Sequence, residues 1–248
     1  MPYHVVANVA NTFGQVNFDC PPLSDGWITI QNNHFLPHIP LYLYGGWYGG
    51  ANLTAVTLVT PRSRMVVPPR LYPIANSPTP QDRPHVLDRR KNPFTLNAVE
   101  EVMLTANIGG AANALNYFVS FWGNSLDPVP QGDLYTLHGS STTAANAAAW
   151  TLISPIWDQT IPAGTYSVIS TQHQSSNAVA HRLFFKDQLL RPGFLSITSL
   201  TNMTEASYYF GGWGKLGDFN TTAYPTWEVL CNGADAAHDV TMTMVRIL

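Results

Sequence analysis

What most constrains this chain is that one hairpin pattern occurs in it twice. In "GGAANALNYFVSFW" (109–122), Leu115, Tyr117, Val119 and Phe121 alternate with Asn116, Phe118 and Ser120. In the closing "DAAHDVTMTMVRIL" (235–248), Val240, Met242 and Met244 alternate with Thr241, Thr243 and Val245. Period-two alternation is the mark of a strand with one buried face. Each run follows another strand-like run opening on the same pair, Glu101-Val102 and Glu228-Val229. Turn formers separate the arms, Gly109 and Gly110 in one copy and Asn232, Gly233 and Asp235 in the other.

Sliding the chain by 125 residues sets Leu115 on Val240 and Val119 on Met244. The same shift sets "NLTAVTLV" from Asn52 on "NAVAHRLF" from Asn177, and "LYLYG" from Leu41 on "YSVIS" from Tyr166. A constant shift of half the chain is the signature of an internal duplication. Nineteen prolines, eighteen glycines and many short β-branched or aromatic runs make the chain all-β. Strands are expected at 3–10, 26–31, 40–45, 52–60, 64–67, 71–74, 101–107 and 114–122, then at 133–138, 149–153, 165–170, 177–186, 194–198, 207–211, 227–232 and 239–247. The one candidate helix is short, "LNAVEE" capped by Thr95, the alternative being a segment that leads straight into the next strand. The break between halves belongs in "GNSLDPVPQGD" (123–133), where Pro128, Pro130 and two glycines interrupt the pattern. The expected architecture is two tandem eight-stranded jelly-roll barrels, 1–125 and 130–248. Two immunoglobulin-like sandwiches are the alternative, and no Cys–Trp–Cys spacing supports them.

Charged residues make up only 11% of the chain, against roughly a quarter in an ordinary soluble domain. So little charge suits a protein that hides surface in an assembly. The net charge of −3, with no Lys or Arg before Arg62, gives no basic arm and no general attraction to nucleic acid. Cys20 and Cys231 are expected to be buried free thiols rather than a disulfide framework. The N-terminus lacks the pattern of a signal peptide, and no apolar run approaches a membrane span. Without a secretion signal the sequons at Asn52, Asn202 and Asn220 carry little weight.

A duplicated barrel raises a metal enzyme of the bicupin kind, which needs converging imidazoles, usually as His-x-His with a carboxylate. The eight histidines (4, 34, 38, 85, 138, 173, 181 and 238) form no such pair. His34 and His38, in "NNHFLPHIP", read as loop histidines, and His181 as a packed, hydrogen-bonded barrel residue. No nucleophile elbow or phosphate loop occurs, since "GGWYGG" (45–50) and "FGGWGKLG" (210–217) read as turns and bulges between strands. Asp25, Asp127, Asp133, Asp158, Asp187, Glu205 and Asp218 are scattered, and nothing selects a glycosidase pair among them. No enzyme, catalytic residue, metal ligand or cofactor is therefore expected. Trp47, Tyr48, Tyr208, Tyr209 and Trp213 cluster near glycines, as a sugar-stacking platform would, and are read as barrel-end or subunit contacts instead. In "QDRPHVLDRRK" (81–91), Arg83, Arg89, Arg90 and Lys91 alternate with Asp82 and Asp88, the pattern of a solvated loop or an ionic contact between subunits. No residue pattern defines a ligand site or an interface.

The stretches "QTIPAGTYSVIS", "NAVAHRLFF", "RPGFLSI" and "PTWEVLCNGADAAHDVTMTMVRI", set in a duplicated chain, resemble the double jelly-roll major capsid proteins of tailless icosahedral bacteriophages. The resemblance is one of architecture over the whole chain, without a diagnostic short motif. It implies a homotrimer forming a pseudo-hexameric capsomer, a capsid lattice shared with penton or vertex proteins, and location in the virion after synthesis in the host cytoplasm. It also implies no direct contact with nucleic acid, with room for an internal membrane beneath the shell. The competing expectation is a tandem β-sandwich carbohydrate-binding module, or a viral spike or receptor-binding lectin.

Overall fold

A computed structural model of the chain describes residues 2–10, 14–17, 23–24, 28–49, 53–61, 70–73, 85–88, 90–109, 115–123, 128–147, 149–186, 192–196 and 214–247. The protein is all-β, and it divides into two compact units. One spans Tyr3–Ser125, and the other spans Leu126–Leu248 with Met1–Pro2.

The first unit holds β1 (Pro2–Ala10), β2 (Gly14–Asn17), β3 (Leu23–Ser24), β4 (Ile28–Gln31), β5 (His34–Pro37), β6 (Leu41–Gly49), β7 (Leu53–Val59), β8 (Arg70–Pro73), β9 (His85–Asp88), β10 (Phe94–Leu96), β11 (Val102–Ile108) and β12 (Leu115–Gly123). One sheet runs β1-β12-β6-β10, with β9 also on β6. The other runs β3-β4-β5-β11-β7-β8, with β2 also on β11. Among its described residues the buried side chains are mainly aliphatic: Ile28, Leu41, Leu43, Val56, Leu58, Leu96, Val102 and Leu104 are buried with Phe35 and Tyr44.

The second unit holds β13 (Leu134–Ser141), β14 (Trp150–Ile153), β15 (Ile156–Trp157), β16 (Thr165–Gln174), β17 (Ala178–Phe184), β18 (Gly193–Leu195), β19 (Gly217–Asn220), β20 (Thr226–Cys231) and β21 (His238–Arg246). Its sheets run β15-β13-β21-β16-β19 and β14-β20-β17-β18. Here the core is more aromatic, with Tyr166, Phe194, Phe219 and Trp227 all buried. Tyr166 stacks on Phe219 and meets Tyr135 edge-on, and its hydroxyl donates to the Pro162 carbonyl at 2.7 Å. That bond satisfies the one polar atom a buried tyrosine brings with it.

The two units are wired alike. In each, the first and last long strands are neighbours, and the last also pairs with the strand (β6 or β16) that opens the central connection. In the first unit β9 and β10 share the far side of β6, where the second has β19 alone. β2 and β5 likewise share the side of β11 that corresponds to β14 on β20. Two irregularities repeat as well. Opposite β12, β6 carries an unpaired extra residue at Tyr44, and opposite β21, β16 carries one at Ile169. Opposite β11, β7 carries one at Thr54, and opposite β20, β17 carries one at Val179. Both pairs of β-bulges are 125 residues apart. Bulges re-aim a strand and are conserved design features rather than noise.

The register also corrects the sequence reading. The closing strands correspond as Trp122 with Met244, opposite Leu43 and Val168, so their offset is 122 rather than 125. The connections between the central and closing strands differ in length by an odd number of residues, which swaps the two faces of β12 relative to the alternation read from sequence. The helix expected after Thr95 is absent: Phe94–Leu96 is a strand on β6, followed by a turn in which Glu100 accepts from the Asn97 amide and Val99 sits at φ 62°. The stretch read as a loop around His34 is a hairpin of β4 and β5. Asn32 and Asn33, at φ 52° and 66°, form its two-residue connection, as a type I′ turn requires. "GGWYG" is not a turn but the outer half of β6, paired with β9 and β12. The expected strands 64–67 and 207–211 lie outside the described residues.

Candidate functional site

The most organised polar region among the described residues is one end of the second unit, where three loops meet. Its anchor is Asp235. One of its carboxylate oxygens accepts from the Ser175 hydroxyl and from the Asn177 amide at 2.9 Å. The other accepts from the Ala236 and Ala237 amides at 2.8 and 3.2 Å. Its own backbone exchanges hydrogen bonds with Ala145 in both directions, so one residue ties 142–147, 175–177 and 232–237 together. Burial alone would raise its carboxyl pKa, but these four donors outweigh that and hold it below its usual value. Beneath it lies Cys231, fully buried, its thiol pushed up to about 11 by burial and by the Asp235 charge, against a hydrogen bond from Ser175. Cys20 lies outside the described residues.

Below this knot, three histidines from both sheets meet in the core. His173 comes from β16 and His238 from β21, and His181 faces them from β17. All three are buried. His238 Nε2 lies 3.0 Å from the Thr143 carbonyl, and His238 Nδ1 lies 3.0 Å from His173 Nε2. His173 Nδ1 lies 2.7 Å from Ser196 Oγ, which is 3.3 Å from His181 Nδ1. His181 Nε2 ends the series 2.9 Å from Thr171 Oγ1. The protons of the neutral cluster follow from its first member. A carbonyl can only accept, so His238 Nε2 donates and its Nδ1 accepts from His173 Nε2. His173 Nδ1 then accepts from Ser196, whose oxygen accepts from His181 Nδ1–H, and His181 Nε2 accepts from the Thr171 hydroxyl. Every ring nitrogen is used once, and all bonds run one way.

Burial holds His173 well below its ordinary pKa, with His181 and His238 adding to the shift, and it takes His181 down to about 3. Trp227 stacks on His181 with ring centres 5.5 Å apart, and Phe194 flanks it. The reading of His181 as a packed, hydrogen-bonded residue agrees with this geometry, but it is one of three rather than alone. Sequence spacing did not group them. The available signal was parity: His181 alternates with Val179 and Leu183, and His238 with Val240 and Met242, all of them buried.

The remaining candidates do not converge. His34 pairs with Glu101 on the surface of the first unit, and His38 Nε2 lies 2.9 Å from Thr29 Oγ1. Thr29, Gln31, Asn32, His34, Leu36 and Glu101 line a shallow depression of about 290 Å³. His138 pairs with Asp158, and Asp218 with Lys215 and Ser167. Arg182 lies buried on the other face of β17 from His181, bonded to Glu228 and set 4.1 Å over the Trp150 ring. His4, His85, Trp47, Tyr48 and Asp88 lie in strands, without described side chains. Asp25, Asp82, Arg83, Arg89, Asp127, Asp187, Glu205, Tyr208, Tyr209 and Trp213 lie outside the described residues. Among the described residues no group of three His, Cys, Asp or Glu side chains is arranged to hold a metal ion.

No family model matches the chain, and no curated protein matches it. A search of solved structures returns the crystal structure of the major capsid protein P2 from Bacteriophage PM2, at 9% identity and a TM-score of 0.24, over 100% of this chain and 98% of that one. A superposition that loose does not bear on fold or function.

Proposed function

We propose that the chain is a structural protein of a virus shell, built from two tandem jelly-roll barrels. Three copies form a pseudo-hexameric capsomer that tiles an icosahedral lattice. The observation that carries this reading is the repeated wiring, with two β-bulges recurring at a constant 125-residue spacing. Setting aside the short β15, the strands of the second unit, counted in chain order, run first-last-third-sixth in one sheet and second-seventh-fourth-fifth in the other. That order supports reading the unit as an eight-stranded jelly roll, an architecture used by capsid proteins, lectins and cupins. The extra short strands of the first unit elaborate the same wrap.

Fold alone does not choose among those uses. The cupin use needs free imidazole nitrogens aimed at one ion, whereas the three barrel histidines spend theirs on one another and on Ser196, Thr171 and Thr143. The capsid use fits a chain with 11% charge and with large apolar side chains on sheet edges. Ile156 is 77% exposed on β15 and Leu152 54% exposed on β14. A duplicated barrel lets a trimer present six similar sides, which suits lattice packing.

Native mass tests the reading, by light scattering after size exclusion and by negative-stain microscopy. Three copies of the 27.2 kDa chain, about 82 kDa, or closed shells are expected. A monomer at every concentration and salt tried would overturn it. Glycan binding at the depression beside His34 would then become the leading alternative.

A further inference from the structure

We propose that the His173–His181–His238 cluster, which joins both sheets to the 142–147 loop, is an acid-operated latch, in which a proton taken up there puts an uncompensated charge into the core and opens that end of the second unit. The inference concerns the fold of this unit and does not depend on the proposed role in a shell.

An added proton finds hydroxyl acceptors in the cluster but no counter-charge. At His238 Nδ1 it would face the N–H of His173, whereas at His173 Nδ1 the Ser196 hydroxyl can rotate to accept it. At His181 Nε2 the Thr171 hydroxyl can rotate in the same way, and the Thr171 backbone also favours the protonated ring. The imidazolium formed there still lies in a fully buried site beneath Trp227.

Charged and titratable groups on the surrounding elements do not compensate it. Arg182 of β17 and Glu228 of β20 pair with each other on the far face of their sheet. Asp239 is exposed on the outer face of β21, and Arg246 lies at that strand's opposite end, bonded to the Ala163 carbonyl. On β13, His138 pairs with Asp158 in solvent. Tyr166 lies eight residues from Gln174 along β16 and is bonded to Pro162. Cys231 is a buried thiol of β20, and the Asp235 carboxylate is already engaged by four donors. Among the described residues the loop 142–147, β14 and β18 carry no charge.

The sign follows from linkage. A buried histidine held neutral binds fewer protons in the folded chain than in the unfolded one, whose histidines titrate near about 6.5. Stability is therefore full above that pH and falls as the solution is acidified toward the folded value, about 3 for His181. His173 and His181 together raise the unfolding constant by about 100-fold per pH unit within that window, tenfold for each. Asp235 contributes in the same direction only below about pH 4, so the two effects separate.

The test uses the full chain in two measurements. In the first, urea unfolding is followed from pH 8 to about 4.5 for wild type and for His173→Gln/His181→Gln, in which the amides still hydrogen bond but cannot titrate in this range. The variant is expected to lose about 100-fold per pH unit of the wild-type dependence below pH 6, and a variant with the full wild-type slope would overturn the proposal. In the second, ring-proton NMR of the folded wild type decides even if the variant does not fold. Two histidine signals that stay flat until the unit opens support the latch. Titration of the assigned His173 and His181 rings near about 6.5 in the intact fold would overturn it.

Discussion

The two units share a strand order, and at equivalent described positions they differ in what fills it. Register fixes the equivalent positions. Leu41, Leu43, Val56, Leu96 and Leu104 of the first unit stand where Tyr166, Val168, His181, Phe219 and Trp227 stand in the second. All ten side chains are buried. An aliphatic filling needs only volume, and cores tolerate exchange of one apolar filling for another when volume is kept. Tyrosine and histidine bring polar atoms that must be paired, so the second unit carries a bond to Pro162, a closed histidine chain and a knot at Asp235. The difference teaches that strand order and bulges are set by the backbone, while the filling decides how far a unit depends on a few side chains.

The sharpest way to break that contrast is at Trp227. Trp227→Ala is expected to cost about 3–5 kcal/mol by leaving a large cavity beside His181 and Trp157. Trp227→Leu installs the residue found at the equivalent Leu104 and should cost markedly less. Among the described residues the indole nitrogen has no hydrogen-bond partner to lose. Urea unfolding read by hydrogen exchange in the second unit measures both. Equal costs for the two variants would mean that the indole acts through specific ring contacts, and the comparison by volume would fail.

Next in size is Asp235→Ala, which strands the Ser175, Asn177, Ala236 and Ala237 donors and is expected to cost about 2–4 kcal/mol. Because its folded pKa is depressed, this stability is present above the ordinary carboxyl value and disappears as pH falls below it. The gap between wild type and variant should thus be constant from pH 8 to about 5 and close below about 4. A gap that stayed open at pH 2.5 would show that the carboxylate charge is not what ties the loops. Smaller again, Tyr166→Phe removes a single hydrogen bond and should cost about 1 kcal/mol in thermal unfolding. A neutral result would mean that water replaces the partner.

These same positions show what the sequence made legible. Strands with one buried face stood out, as in Val240, Met242 and Met244 of β21, because alternation is a direct image of the pleat. β17 is buried along both faces and still read correctly as a strand from its β-branched and aromatic content. The expected helix failed because six residues are too few to nucleate one even with good formers such as Leu96, Ala98 and Glu100, and pairing of Phe94–Leu96 with β6 won. The β4–β5 hairpin was missed because an Asn-Asn turn followed by a Pro-containing strand looks like loop composition. The 122-residue offset of the closing strands was hidden because β12 carries large apolar residues at both parities, Phe118 and Trp122 as well as Tyr117 and Phe121. The histidine chain was hidden more deeply, since His173 and His238 become neighbours only through the β16–β21 pairing.

The smallest expected effect tests the contrast from the other side. His34 Nδ1 and the Glu101 carboxylate are hydrogen-bond partners in the first unit, with side chains 35% and 52% exposed. Water solvates both partners in the folded and unfolded chains, and ordering two mobile side chains offsets most of the Coulomb gain. His34→Gln is therefore expected to change stability by less than about 1 kcal/mol, with little response to salt beyond that. A cost above about 2 kcal/mol, measured in the same urea titrations, would mean that this surface histidine matters as much as a buried one. The difference between the units would then lie in how many histidines each pairs, rather than in where it buries them.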